Sequence, residues 1–190
     1  KDGHLHSIKL NNGEILDCEV LVLAIGHSAR DTFELLYGKK LNIEAKSFAI
    51  GLRVQHPQSM INISQYGKEA ADILPTASYK LTTKSGAARG VYSFCMCPGG
   101  YVVNASTEKG RLAINGMSYH DRESESANSA IIVTIDSKDF GDKTPLAGMY
   151  FQQELESKCY KAGNSYIPVQ LLGDFIKGRE SMEFGETKPC

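Results

Sequence analysis

The 190-residue sequence contains no apolar run near the ~20 residues a membrane-spanning helix needs, which excludes that class of span. It has no basic tract. Its 21 lysines and arginines stand against 22 acidic residues, for a net charge of -1, so the electrostatic footprint of a nucleic-acid binder is missing. Neither Gly-x-Gly-x-x-Gly nor a Walker loop occurs, so the usual phosphate cradle is not encoded in this stretch. The closest approach to Gly-x-Ser-x-Gly is Gly26-His27-Ser28-Ala29-Arg30, which has arginine where the second glycine is required. The cysteines, Cys18, Cys95, Cys97, Cys159 and Cys190, are odd in number and irregularly spaced. That pattern speaks against a disulfide framework and for a reducing, cytoplasmic compartment. Cys95-x-Cys97 with remote Cys159 and His120 is not the spacing of a structural zinc site, so no metal is expected. Internal repeats and low-complexity segments are absent too.

What is present reads as alternating strands, turns and a few helices. Leu5, Ile8 and Leu10 alternate, Asn11-Asn12-Gly13 is turn chemistry, and residues 14–18 return as a strand. Residues 20–25, Val-Leu-Val-Leu-Ala-Ile, form a continuous apolar run of the kind that fills a strand covered on both faces. Gly26 ends it. Ser28 is a good N-cap for a helix over about 29–37, Asp31 lies in the favourable first turn, and Gly38 closes it.

Further on, strands are expected over 48–55, 79–83, 112–117 and 130–135, a short helix over 69–74, and helices over about 145–162 and 168–177. The polar stretch 118–129 reads as a long loop, a length that inside a compact domain is often functional. The first residues, Lys1-Asp2-Gly3, run straight into a strand, and the last stop without a polar tail. The expectation is a piece of a longer protein.

The stretch most heavily loaded with distinctive residues is 90–103. It reads as a strand, the turn Pro98-Gly99-Gly100 and a second strand, a hairpin. Without side chains at Gly99 and Gly100, a flat ligand or a phosphate can come close to the backbone. Cys95 and Cys97, two apart, share a face on a regular strand. Their Cα atoms would lie roughly 6.5–7 Å apart, at or past disulfide reach. We expect both thiols to be reduced and structural. A thiol redox pair needs nearby cations, and Phe94, Met96 and Pro98 supply none.

Several polar residues carry two open readings. Arg53, between Leu52 and Val54, is either solvent-facing or an anion ligand. His56 before Pro57 is either catalytic or a loop-end residue bonded locally. His120, Asp121 and Arg122 lie in the long loop. Asn128 and Ser129 precede an apolar strand, where they either satisfy strand ends or hydrogen-bond a ligand.

Three segments resemble the uncharacterised FAD-dependent dehydrogenases of the NAD(FAD)-utilising family, distant relatives of the glutathione-reductase-like flavoproteins. Val20-Leu21-Val22-Leu23-Ala24-Ile25-Gly26-His27-Ser28-Ala29-Arg30-Asp31 is similar to the second flavoprotein motif, a strand ending in Ala-Thr-Gly beside the cofactor; Ile25 replaces the threonine. Gly51-Leu52-Arg53-Val54-Gln55-His56-Pro57-Gln58 resembles the family's arginine strand. Tyr92-Ser93-Phe94-Cys95-Met96-Cys97-Pro98-Gly99-Gly100 and Asn115-Gly116-Met117-Ser118 resemble its most distinctive segment.

The resemblance implies an α+β fold: a mainly antiparallel sheet domain with flanking helices, plus a partial FAD-domain edge of hairpin, buried strand and helix at the N-terminus. Residues 1–45 would be that edge and 46–190 the substrate-side C-terminal domain. It implies FAD as cofactor in the intact protein, with Ala24, Gly26, His27, Ser28, Arg53, Cys97, Pro98, Gly99, Gly100 and Asn128 as cofactor contacts. The partner it implies is a preceding FAD-binding half of the same protein. The chain by itself is expected to be inactive, and the small-molecule substrate is not specified. A second class stays open, a module that binds a small anion through Arg53 and the glycines without redox chemistry.

Overall fold

The computed structural model describes residues 3–86, 88–141, 144–185 and 189. The chain divides into two compact units, Lys1–Leu41 and Asn42–Cys190.

In the first unit, β1 (Ser7–Lys9) and β2 (Ile15–Asp17) pair antiparallel, with Ile8 opposite Leu16. The turn is the expected one. Gly13 takes φ +91° and donates its N–H to the Leu10 carbonyl at 2.9 Å, while Asn12 Oδ1 accepts from the Glu14 N–H at 3.0 Å.

Residues 20–25 correct the expectation of a buried strand. No described strand pairs with them, and Val20 and Val22 are 78% and 80% exposed. An apolar run sets a preference for burial, but a ladder needs a second backbone to take its N–H and C=O groups. Helix α1 (Arg30–Gly38) follows. Its N-cap is Ala29 rather than Ser28, with no side-chain cap. The left-handed residue after it is Lys40 (φ +60°), not Gly38.

The second unit contains β3 (Phe48–Pro57), α2 (Gln58–Tyr66), β4 (Thr82–Lys84), β5 (Gly90–Cys97), β6 (Gly100–Asn104), β7 (Ile114–Ser118), β8 (Ser126–Ile135), α3 (Ala147–Ala162) and α4 (Leu172–Ile176). Four strands form an antiparallel sheet in the order β3-β8-β5-β4, and β6 and β7 form a separate antiparallel pair. This is the expected α+β architecture with antiparallel sheets.

Several local expectations change. Residues 90–103 are not a hairpin: β6 leaves β5 at Pro98-Gly99-Gly100 and pairs with β7, so the turn is a corner between sheets. The corner is held by Ser118 Oγ, which donates to the Pro98 carbonyl at 2.7 Å. Strand β8 starts at Ser126, so the loop is shorter than expected, and Asn128 and Ser129 lie within the strand.

Residues 68–73 are turns, and the helix lies earlier, at α2. The sequence of α2 is poor in strong helix formers, and its position is set by tertiary bonds. Gln58 Nε2 donates to the Ala77 carbonyl at 2.9 Å, and Asn62 Oδ1 accepts from the Ala77 N–H at 3.0 Å. Helix α4 is shorter than expected because the Leu171 N–H is taken by Ser181 Oγ at 2.9 Å, and Leu171 stays extended.

The apolar core is modest, with Ile61, Leu112, Ile135 and Leu146 its larger members. Phe48 stacks on Phe140 at 5.2 Å between centroids, and Phe140 meets Phe151 of α3 at 5.9 Å. The largest side chains with essentially no exposed surface are polar, Asn128 and Ser129. Among the described residues no helix is long and apolar enough to cross a membrane.

Candidate functional site

Strand β8 is an inner strand, flanked by β3 and β5. Asn128 pairs with Gln55 on one side and Cys97 on the other; Ala130 pairs with Arg53 and Phe94. Positions two apart share a face, so Arg53 and Asn128 lie on the same face of the sheet. Arg53 reaches across β8. Its Nη1 donates to Asn128 Oδ1 and, at 3.2 Å, to the Cys95 carbonyl on the far strand. Its Nη2 donates to Asn115 Oδ1 on β7 at 3.3 Å. This geometry removes the solvent-facing reading of Arg53: the side chain is half-buried and held at three points.

Between Phe94 and Cys97 the register shifts, and Cys95 adopts φ +46°. The strand bulges there, so the two cysteines do not follow simple alternation. Cys95 is exposed and Cys97 half-buried, and both are free thiols. Cys97 Sγ lies 3.4 Å from the Cys95 carbonyl and 4.0 Å from Arg53 Nη1. The cation missing from the flanking sequence is therefore supplied by β3.

Gly116 is where β7 crosses this cluster. A Cβ there would stand 2.2 Å from Arg53 Nη1 and 2.3 Å from Asn128 Oδ1. Pro98, Gly99 and Gly100 are buried. Gly99 has φ +50°, a Cβ on it would stand 1.8 Å from the Arg122 carbonyl, and its N–H donates to Gln58 Oε1 at 2.9 Å. The protein's own packing thus accounts for glycine at 99, and the Gly99 amide is already engaged.

On β3, His56 Nε2 and the Tyr79 hydroxyl are 2.9 Å apart. Burial pushes the Tyr79 hydroxyl above the ordinary tyrosine range, against a hydrogen bond to Ser129 and the field of Arg53. Burial likewise holds the His56 imidazole below its ordinary value of 6.5. His56 Nδ1 and Asn128 Nδ2 are buried without a hydrogen-bond partner among the described residues. Two shallow grooves border the bulge. One, of about 450 Å³, is lined by Met96, Cys97, Pro98, Ser118, Tyr119, His120 and Arg122. The other, of about 310 Å³, is lined by Ser78, Tyr79, Lys80, Ser93, Phe94, Cys95 and Met96.

Of the residues singled out from the sequence, Arg53, Cys97 and Asn128 come together, with Pro98, Gly99 and Gly100 following directly at the corner. Ala24, Gly26, His27 and Ser28 belong to the first unit, where His27 is exposed, Ser28 half-buried, and Gly26 takes φ +74°. Gln58 closes the arginine-strand segment and Tyr79 opens an expected strand, but neither is marked in the sequence as a site residue. Asn115 and Gly116 lie in an expected strand, and only the sheet pairing shows Gly116 packed against the guanidinium.

The family described as "FAD-dependent protein, C-terminal domain-like" matches residues 47–190. An uncharacterized protein of Clostridium beijerinckii is 53% identical over 193 residues, covering 100% of this chain. The chain spans 36% of that relative's length. The chain belongs to the FAD-dependent protein, C-terminal domain-like family.

Proposed function

We propose, from that membership, that this chain forms the substrate-side wall and part of the flavin pocket of an FAD-dependent oxidoreductase. The observation that carries the proposal is the convergence of Arg53, Cys97 and Asn128, from three strands, beside the Pro98-Gly99-Gly100 corner. The cluster suits the group. Asn128 Nδ2 is a buried donor with no acceptor among the described residues, and the pyrimidine edge of an isoalloxazine, rich in acceptors, would satisfy it once the closed cluster opens. The Gly99 amide, engaged by Gln58, is not such a donor.

When bound, FAD supplies the acceptance and return of hydride. The chain's own part is to bind and orient. Asn128 Oδ1 is fixed by Arg53, so its amide has one orientation. Cys97 and Pro98, which line the groove of about 450 Å³, would supply the surface beside the ring. In the first unit the proposal assigns cofactor contacts to Ala24, Gly26, His27 and Ser28, following the flavoprotein-like segment 20–31. The glycine-rich turn that holds a dinucleotide's pyrophosphate is assigned to the remainder of the intact protein.

The test is flavin content. The intact protein, purified and reconstituted with FAD, should carry about one FAD per chain in this reading. The isolated 190-residue chain should bind FAD weakly or not at all. An intact protein that takes up no flavin overturns the proposal, and micromolar binding by the isolated chain overturns the assignment of the pyrophosphate site.

A further inference from the structure

Arg53 carries a charge that no described carboxylate balances. Elsewhere in the second unit, Arg89 grips Asp139 with two bonds of 2.7 and 2.8 Å, Arg111 meets Glu108 at 3.0 Å, and Arg179 meets Asp174 at 2.6 Å. Arg122 is exposed on its loop, where water solvates it. Arg53 is half-buried and held by the neutral oxygens of Cys95, Asn115 and Asn128, with the Cys97 thiol sulfur at the longer distance of 4.0 Å. Such dipoles orient a guanidinium without cancelling its charge, and arginine cannot shed its proton.

A count of donors points the same way. A guanidinium has five N–H donors. The two Nη1 protons go to Asn128 Oδ1 and the Cys95 carbonyl, with Cys97 Sγ a weaker third contact at 4.0 Å, and Nη2 uses one, on Asn115. One Nη2 proton and the Nε proton remain without a described protein acceptor. Asn115 Oδ1 is already shared, since it also accepts the Gly116 N–H at 2.8 Å. Asn128 Nδ2 finds no acceptor either. The cluster is short of acceptors and of negative charge, and Asn115 is exposed, so this end is reachable from solvent.

We propose that Arg53 is the docking point for the carboxylate of an anionic substrate. This rests on the reading of the chain as a substrate-side wall. The oxidised isoalloxazine is uncharged, and it can occupy the Asn128 donor while leaving the arginine's charge unmatched. A dinucleotide's pyrophosphate belongs on a glycine-rich turn that no stretch of this sequence encodes. A carboxylate supplies both missing quantities, and its two oxygens match a guanidinium's paired donors.

The test is calorimetric titration of the intact, oxidised protein with acetate, succinate and inorganic phosphate. Acetate or succinate should bind saturably, and added sodium chloride should weaken the binding. Arg53→Gln should reduce affinity at least about tenfold, and Arg53→Lys should retain part of it. Asn128→Asp keeps an acceptor for Nη1 but adds a built-in counter-charge, so it should also reduce binding at least about tenfold. Thermal melts check folding; if Arg53→Gln fails to fold, Arg53→Lys and Asn128→Asp decide.

Four results overturn the proposal: no carboxylate binding by wild type, wild-type affinity in a folded Arg53→Gln, undiminished binding in Asn128→Asp, or binding of phosphate alone. A flavin potential that drops in Arg53→Gln without any anion binding in wild type would give the charge to the cofactor, and the flavin reading would survive. An intact protein without FAD that still binds acetate through Arg53 would keep the anion site and remove the flavin reading.

Discussion

The guanidinium of Arg53 on β3 bonds Asn128 on β8, a residue with no exposed surface, and reaches past it to the Cys95 carbonyl on β5. One cationic side chain thereby ties three adjacent strands at the place where β5 bulges. Several consequences can be measured.

Asn128→Ala removes one of the two oxygen acceptors of Arg53 Nη1, the one closed to water. A half-buried donor left without its partner costs about 1–3 kcal/mol. Urea unfolding should show a lower midpoint with an unchanged slope. An unchanged midpoint would mean that the bond contributes nothing to stability.

Gly116→Ala places a methyl group 2.2 Å from Arg53 Nη1 and 2.3 Å from Asn128 Oδ1. Neither neighbour can yield without breaking its bond to the other, so the overpacking should destabilise by about 1–3 kcal/mol. Gly173→Ala, where nothing lies within 4 Å of the added atom, is the control and should not show this loss.

Gln58→Leu keeps the bulk of a buried side chain but removes its bonds to the Gly99 N–H, the Ala77 carbonyl and Asn62. Buried groups left unpaired should lower stability by about 2 kcal/mol or more. Hydrogen exchange at the Gly99 amide should accelerate ahead of β8. Unaltered protection at Gly99 would show that Gln58 does not hold the corner.

His56 gives the pH dependence. Its imidazole is held below 6.5 chiefly by burial, so the folded state resists the proton that the unfolded state takes up. The stability associated with neutral His56 is complete above pH 6.5 and is lost as pH falls through the lower folded value. Stability measured from pH 7.5 down to 5 should fall less steeply in His56→Gln than in wild type. Parallel curves would assign the acid sensitivity to other groups.

Much of the architecture was legible because it rests on local chemistry. Asn11-Asn12-Gly13 has the turn residues a hairpin needs, and the hairpin is there. Apolar, β-branched residues mark β3 and the later part of β8, and Pro145 precedes a helix that runs to Ala162 as expected. The distinctive segments around Arg53, Cys97 and Asn115 were also visible, since unusual residue combinations survive in one dimension.

The rest depended on which backbone meets which. The run at 20–25 states that it prefers burial, but apolarity names no partner, and no described strand supplies one. Pro98-Gly99-Gly100 encodes a turn without saying which strand follows alongside; Ser118 Oγ and the pairing of β6 with β7 make it a corner. Local propensity is weak in α2, so that helix is decided by distant acceptors at Ala71 and Ala77. Asn128 reads as a polar residue at a loop's end, and only its pairing with Gln55 and Cys97 puts it in the interior. By itself the sequence determined the turns, most of the strands and the kinds of residue available for chemistry. The tertiary structure decided that Arg53 would lie among neutral oxygens with no carboxylate in reach among the described residues, because a charge is balanced by what surrounds it in space and not by its neighbours along the chain.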